Sequence, residues 1–174
     1  MDVQTPVVSL DRTFKLQAKK LAKLGIYTIQ DLLYHVPNRY EDLSLITKIN
    51  HTQISESVTL QGIIVSLKNE YRSRFFTIQK IKIEDDTGGI ECRFFNQPYL
   101  IKNLKEGDIL SISGTVEFYG KTKCLAVKEY EVLQDLKQET IHTGRLVPVY
   151  PLTHGLSSKW LRNKTFNFIK RQEL

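Results

Sequence analysis

The sequence predicts a mainly β protein with flanking short helices, in which five strands close into a small barrel. Apolar and polar residues alternate in five short runs between Val58 and Val132, which is the period of half-buried strands. Glycine-containing turns separate the runs, and Gly62 and Gly114 inside them suit the sharp bends of a small barrel. A short helical run at 100–104 lies between the third and fourth strands. This order is that of an OB fold, which usually binds oligonucleotides or oligosaccharides.

Residues 1–50 predict an N-terminal helical segment ahead of the barrel. An apolar face with helical spacing begins at Phe14, and Gly25 suits the left-handed position after a helix. Thr28 opens a second helix with a T-x-x-D capping box, and Pro37 ends it. Two short helices are marginal by themselves, so this helix-turn-helix-like pair is expected to pack on the barrel.

The barrel is expected to occupy residues 51–135. Phe76 and Ile78 are out of phase with Ile81 in the second strand, which indicates a bulge near Gln79. The predicted strands cover residues 58–68, 75–85, the stretch from 88 to the proline at 98, 109–118 and 122–132.

Residues 136–174 predict an extended linker, interrupted by proline and glycine, and then a strongly basic helix. Ser157 or Ser158 caps this helix, and Trp160 and Phe168 lie within it. A helix that carries such rings either contacts a partner surface or packs back on the barrel. The sequence leaves both interpretations open.

The chain carries 25 Lys and Arg residues against 19 Asp and Glu residues, a net charge of +6. The excess lies toward the two ends, because residues 51–135 are close to neutral. Basic side chains nevertheless cluster around the turn between the first two strands. A neutral domain with such a basic edge can bind phosphate groups there. The cluster consists of Lys68, Arg72, Arg74, Lys80 and Lys82, diluted only by Glu70.

The third strand gives the clearest indication of a ligand. Alternation places Phe94 on the core side, with Arg93 and Phe95 toward the surface. An exposed aromatic ring beside a guanidinium contributes little to packing, and stacking on nucleic-acid bases is one reason to expose it. The competing interpretation is a bulge that turns both Phe side chains inward.

Several kinds of chemistry are not expected. The sequence GTVEFYGKT, from Gly114, resembles a phosphate loop but has Thr115 at the position where that motif needs its first glycine. It also runs from a strand into a hairpin. The histidines and cysteines show no metal-ligand spacing, and Cys92 and Cys124 are expected to be buried free thiols. No apolar run is long enough to span a membrane, and the N-terminus is unlike a secretory signal. We therefore expect the chain to bind no cofactor and to catalyse nothing.

Four stretches of the sequence point to a known family. They are LAKLGIYTIQDLLYHVPNRYEDLS, DDTGGIECRFFNQPYL, KEYEVL and LVPVYPLTHGLSSKWLR. Together they resemble the N-terminal region of RecG, a bacterial ATP-dependent DNA helicase, over residues 14–170, and the combination in this order is specific. The resemblance implies an OB-fold wedge region without the two motor domains and their phosphate loop. One departure is RTFKLQ, which stands where many members have a glycine-rich hairpin, so a backbone grip on phosphate is not expected there.

In that family the wedge binds replication forks and Holliday junctions and splits the strands at the branch point, during fork reversal and recombinational DNA repair. The resemblance therefore implies two partners, branched DNA and the motor domains. It also implies a monomer in the bacterial cytoplasm that associates with the nucleoid. ATP and magnesium are expected for the motor domains of the 3'–5' helicase and not for this chain.

Residue roles follow from the resemblance and from the basic cluster. Base stacking is implied for Phe95 and Tyr99, with Phe94 beside them. Two other functions are compatible with the same surface. A free-standing single-strand-binding OB protein would track one strand along it, and a protein-interaction module would use it to meet the motor domains or another protein. Contacts with the DNA backbone are expected from Arg93, Arg72, Arg74, Lys80 and Lys82.

Overall fold

The structure, a computed structural model, describes residues 2–172 and divides the chain into two units. One unit runs up to Glu41 and resumes at Val147, and the other is Asp42–Leu146. The predicted boundaries at residues 50 and 135 differ from this division. Strands β1 (Arg39–Asp42) and β7 (Leu146–Val149) pair with each other where the chain passes between the two units.

The second unit is a closed five-stranded barrel, in which the neighbouring strands follow the order β2-β3-β4-β6-β5. The pairs are antiparallel except for β4 and β6, which run parallel. Helix α3 (Leu100–Asn103) lies between β4 and β5 in sequence, as predicted for an OB fold. The strands are β2 (Ser57–Ser73), β3 (Phe76–Glu84), β4 (Gly89–Phe95), β5 (Ile109–Tyr119) and β6 (Thr122–Leu133).

The barrel core is built from inward-facing aliphatic side chains of all five strands together with Phe94. Gly62 allows two strands to approach closely, because a Cβ there would lie 2.7 Å from the carbonyl oxygen of Glu84. Cys92 and Cys124 are buried free thiols, as expected, and burial raises the pKa of both.

The five predicted strands are confirmed, but the bulge near Gln79 is wrong. Strand β3 pairs with β4 in unbroken register from Ile78, opposite Phe95, to Glu84, opposite Gly89. Ile78 and Gln79 lie on opposite faces of the sheet, and both faces are covered at this point. Both residues are therefore fully buried without a bulge. The register shifts lie elsewhere, between Ile64 and Ser66, between Tyr71 and Ser73, and between Ser113 and Gly114.

The first unit contains α1 (Arg12–Ala22), α2 (Ile29–Leu33) and α4 (Ser158–Gln172). Its core joins the two ends of the chain, because the Phe14 ring packs edge-on against Trp160, 5.2 Å away, and Phe168, 6.1 Å away. The N-terminal helices therefore bury their apolar faces against the C-terminal helix, where the sequence analysis expected the barrel. No helix within residues 2–172 is both long and apolar enough to cross a membrane.

Asp11 connects the first and last helices of this unit. Its carboxylate caps α1 by accepting the backbone amides of Thr13, at 2.6 Å, and Phe14, at 3.0 Å. Lys164 of α4 donates to the same carboxylate at 2.8 Å. The hydrogen bond from Lys164, followed by the one that the Thr13 hydroxyl donates at 2.6 Å, holds the pKa of Asp11 well below its ordinary value.

We expect Asp11→Ala to lower the free energy of unfolding of the helical unit by about 1 kcal/mol, because the helix loses its N-cap. Thermal and urea denaturation followed by circular dichroism would measure the change. Glu106→Ala, which removes an exposed carboxylate in the barrel unit, is the control. Equal stability of wild type and Asp11→Ala would contradict a capping role.

The effect of Asp11 should also depend on pH. Since its pKa is lower in the folded protein, the stabilisation is fully present above the unfolded pKa of about 4 and is lost as pH falls through the folded value. The stability difference between wild type and Asp11→Ala should therefore shrink when unfolding is measured at progressively lower pH below about 4. A difference that stays constant throughout that range would show that the charge of Asp11 is not involved.

Candidate nucleic-acid interface

The side of β2, β3 and β4 that faces away from the barrel core, here called the outer face, carries most of the predicted site residues. Alternation and the strand register place side chains from the three strands side by side on it. Aromatic residues occupy one end of this face and lysines the other. Its members are Ser66, Lys68 and Glu70 of β2, Phe76, Ile78, Lys80 and Lys82 of β3, and Glu91, Arg93 and Phe95 of β4.

Phe95 lies on the outer face, as predicted, with 38% of its surface exposed. Its ring is nearly parallel to that of Phe76, with 6.0 Å between the ring centroids and 15° between the planes. Ile78 is paired with Phe95 in the register and is fully buried, although it is not part of the barrel core. The two rings form the exposed apolar end of the face, and the buried Ile78 beside them adds no exposed surface.

Tyr99 lies just past the end of β4 and is 51% exposed, with its hydroxyl donating to Gln97 at 2.8 Å. The connecting loop is held by Gln79, whose side-chain oxygen accepts the backbone amide of Gln97 at 2.8 Å. Asn96 adopts a left-handed conformation and accepts the Thr77 amide through its side chain at 2.9 Å. The loop that carries Tyr99 is therefore fixed to β3 by two hydrogen bonds between side-chain oxygens and backbone amides.

Phe94 belongs to the barrel core. It is 1% exposed and packs edge-on against Tyr130, with 5.4 Å between the ring centroids. The alternation prediction for Phe94 is confirmed. The resemblance implied that Phe94 lies beside the stacking residue Phe95. Because the Phe94 ring is buried in the core, it cannot stack on a base.

The prediction that Arg93 is exposed is wrong. It is 3% exposed, its Nε donates to Glu91 at 2.6 Å, and its guanidinium carbon lies 3.8 Å from the centroid of the Tyr119 ring. Alternation correctly gives the side of the strand that Arg93 occupies. It gives no information about Tyr119, which comes from the end of β5 and covers the guanidinium. Contact between Arg93 and a phosphate would require this ring to move.

Acidic neighbours offset most of the predicted basic cluster. Glu70 forms ion pairs with both Arg72 and Lys80, and Lys82 pairs with Glu84 at 2.7 Å. The hydrogen bond from Lys80, followed by the charges of Lys80, Arg72 and Arg93, lowers the pKa of Glu70, so Glu70 is ionised at neutral pH. Arg74 instead lies over the ring of Phe75, 5.6 Å from its centroid.

A shallow lysine-lined groove lies at the other end of the outer face. Lys123 lines it beside Lys68, although the sequence analysis did not identify this residue. Parallel pairing of β4 with β6 places Glu91 opposite Cys124 and so brings the neighbouring Lys123 to the groove. No local spacing signals this arrangement, because it depends on how the barrel closes. The groove is lined by Ser66, Lys68, Lys80, Lys82, Gly89, Ile90, Glu91, Thr122 and Lys123.

Two exposed rings near the turn between β2 and β3 were also outside the predicted site. Phe75 is 83% exposed and Tyr71 is 71% exposed. The alternation of side chains along β3 could have identified their neighbour Phe76 as a site residue, because Phe76 lies on the same side of the strand as Lys80 and Lys82. The sequence analysis attributed the phase of Phe76 to a bulge and so missed the aromatic partner of Phe95.

Together, the closed barrel, its strand order and the helix between the third and fourth barrel strands define an OB-fold domain with an aromatic and basic outer face. The family model described as RecG wedge domain matches residues 11–170. The chain therefore belongs to the RecG wedge domain family, which confirms the resemblance of its sequence stretches.

Curated relatives and a solved structure agree with this assignment. The chain is 36% identical over 146 residues to the ATP-dependent DNA helicase RecG of Thermotoga maritima, covering 83% of this chain and 18% of the relative. It is 31% identical over 161 residues to that of Haemophilus influenzae, covering 92% of this chain and 23% of the relative. The structure of RecG bound to a three-way DNA junction aligns with a TM-score of 0.73 and 32% identity, over 96% of this chain and 22% of that one. The chain thus spans about a fifth of the length of these proteins.

Within residues 2–172, no group of three or more His, Cys, Asp or Glu side chains is arranged to hold a metal ion. The segment GTVEFYGKT forms the end of β5 and its hairpin, and not a strand-to-helix phosphate loop.

We expect Glu70→Gln to strengthen the binding of a phosphate-bearing oligonucleotide by up to about fivefold, because it frees Arg72 and Lys80 from their ion pairs. The dependence of log affinity on log salt concentration should steepen by about one. Fluorescence anisotropy titrations at several salt concentrations would measure both quantities.

The matched control is Glu106→Gln, which changes the net charge equally but lies before β5, away from the outer face. If the two variants strengthened binding equally, the effect would come from net charge alone, and the specific restraint by Glu70 would be refuted.

Proposed function

We propose that this domain binds branched DNA and separates the strands at the branch point. The observation that carries the proposal is the parallel ring pair of Phe76 and Phe95, with Tyr99 beside it, exposed at the end of a basic strand face. The similarity to RecG, whose solved structure is bound to a three-way DNA junction, supports a branched substrate.

Base stacking would supply the affinity for unpaired DNA. Aromatic side chains stack on any base, and each stacked base contributes about 1–3 kcal/mol. Bases offer free faces where pairing has been lost, so Phe95 and Tyr99 would select the point at which strands part. Lys68, Lys82 and Lys123 would contact the phosphates without reading the sequence.

The closed barrel would act as a rigid obstacle between the two strands. Its five strands are hydrogen-bonded in a closed ring, and Leu60 of β2 and Leu125 of β6 belong to one core. One unpaired strand would follow the outer face, from the rings toward the lysine-lined groove. Because the barrel would lie between the two strands, the other strand could not reach the outer face.

For the whole helicase we propose fork reversal and Holliday-junction migration in recombinational DNA repair, by a monomer associated with the bacterial nucleoid in the cytoplasm. Motor domains of the complete 3'–5' helicase would bind ATP and magnesium and move the DNA. The contribution proposed for the present domain is binding and strand separation, with no catalytic step of its own.

We expect Phe95→Ala to weaken the binding of a synthetic fork by about 5- to 100-fold, because one stacked base is lost. Fluorescence anisotropy with a labelled fork would measure the affinity, and an unchanged melting curve would show that the fold is intact. Tyr34→Ala, which removes a 74% exposed ring from the helical unit, is the control. Unchanged fork affinity in folded Phe95→Ala would refute the stacking role.

A single-strand-binding function is the second candidate, because the outer face is continuous from the aromatic end to the lysine-lined groove. Such a surface suits one strand that is bound along its length. Competition between a fork and an equally long single strand separates the two functions. Preference for the fork supports the branched-DNA proposal, and equal competition supports the alternative.

A further inference from the structure

The hairpin that connects β2 and β3 extends past the barrel. The pairing of β3 with β4 stops where Ile78 meets Phe95, whereas β2 and β3 remain paired through Tyr71 with Thr77 and Ser73 with Phe76. Beyond Thr77 this ribbon consists of two strands only. Two-stranded ribbons are marginally stable in water, so these last residues contribute little to the stability of the barrel.

The tip of this ribbon displays aromatic rings to solvent. Phe75 is 83% exposed and Tyr71 is 71% exposed, so neither ring contributes much to burial of apolar surface. The guanidinium of Arg74 lies over the Phe75 ring, 5.6 Å from its centroid, and Arg72 is also exposed. Flat rings beside guanidinium groups suit a ligand that has flat faces and negative charge, which is the chemistry of nucleic acid.

The position of the tip relative to Phe95 limits what it can reach. Phe75 lies three residues beyond Ile78, the partner of Phe95, which is about 10 Å along an extended strand. This length corresponds to about three base-pair steps of duplex DNA. A ring at that distance can contact the same branch point as Phe95 without competing for the same base.

We propose that the β2–β3 tip, through Phe75 and Tyr71, stacks on the terminal base pair of the duplex arm at the branch point. In a duplex, base faces are free only where pairing ends, so an exposed ring on a narrow ribbon selects such an end. Phe95 and Tyr99 then hold an unpaired base on the other side of the same branch. This inference rests on the proposed function and adds a second, duplex-facing contact to it.

The test compares forks that carry 2-aminopurine at the last base pair of the duplex arm with forks that carry it in the unpaired arm. We expect Phe75→Ala to weaken fork binding about 5- to 100-fold and to abolish the fluorescence change at the duplex end. The change in the unpaired arm and the affinity for a plain single strand should stay within twofold of wild type. Phe75→Trp, which keeps an aromatic ring, should show the fork affinity and the duplex-end fluorescence change of wild type. Tyr34→Ala should resemble wild type in every measurement.

The outcomes separate this inference from the function on which it rests. If Phe75→Ala matched wild type in fork affinity and in both fluorescence signals, the tip contact would be overturned, while a loss in Phe95→Ala would leave the branched-DNA proposal intact. If Phe75→Ala weakened forks and single strands equally, the assignment to a duplex end would be wrong. If wild type showed no preference for forks over single strands, both proposals would fail.

Discussion

The parallel pairing of β4 with β6 is the constraint on which the outer face depends. This pairing is needed to close the barrel, and it sets Arg93 opposite Ala126 and Glu91 opposite Cys124. Closure also brings the β5–β6 hairpin alongside β4, where Tyr119 covers the Arg93 guanidinium. The ion pair with Glu91 and the cation–π contact with the Tyr119 ring offset part of the cost of burying this arginine. The same closure adds Lys123 to the groove, so one pairing decides which cations are available to a ligand.

The sequence predicted what depends on neighbouring residues and missed what depends on distant ones. Alternation located all five strands and the orientation of Phe94 and Phe95, because strand period is a local property. It failed for Arg93, whose burial depends on Tyr119. The expectation that the short N-terminal helices pack on the barrel did not include the contact between Phe14 and Trp160, which lies near the other end of the chain. Neither contact can be predicted from the spacing of neighbouring residues, because each joins residues that are far apart in the sequence.

Charge and aromatic surface contribute differently to the candidate site. A count of lysines and arginines overstates the positive potential, because Glu70 and Glu84 already pair with residues of the basic cluster. Exposed ion pairs of this kind are weak and are screened by salt. Stacking on the Phe76 and Phe95 rings does not depend on ion pairs in this way. Under the proposed function, the rings would therefore determine which DNA structure is bound, and the lysines would mainly determine how binding responds to salt.

The two proposed stacking surfaces differ in how firmly the fold holds them. Phe95 stands on a strand of the closed barrel, and Gln79 fixes the loop of Tyr99, so both rings are positioned before any ligand arrives. Such preorganisation lowers the entropy lost on binding. Phe75 stands instead on a two-stranded ribbon that pairs only with itself beyond Thr77. A fixed surface suits an unpaired base, which can adapt to it, whereas a compliant tip suits the end of a stiff duplex arm, whose direction differs from one branched substrate to another.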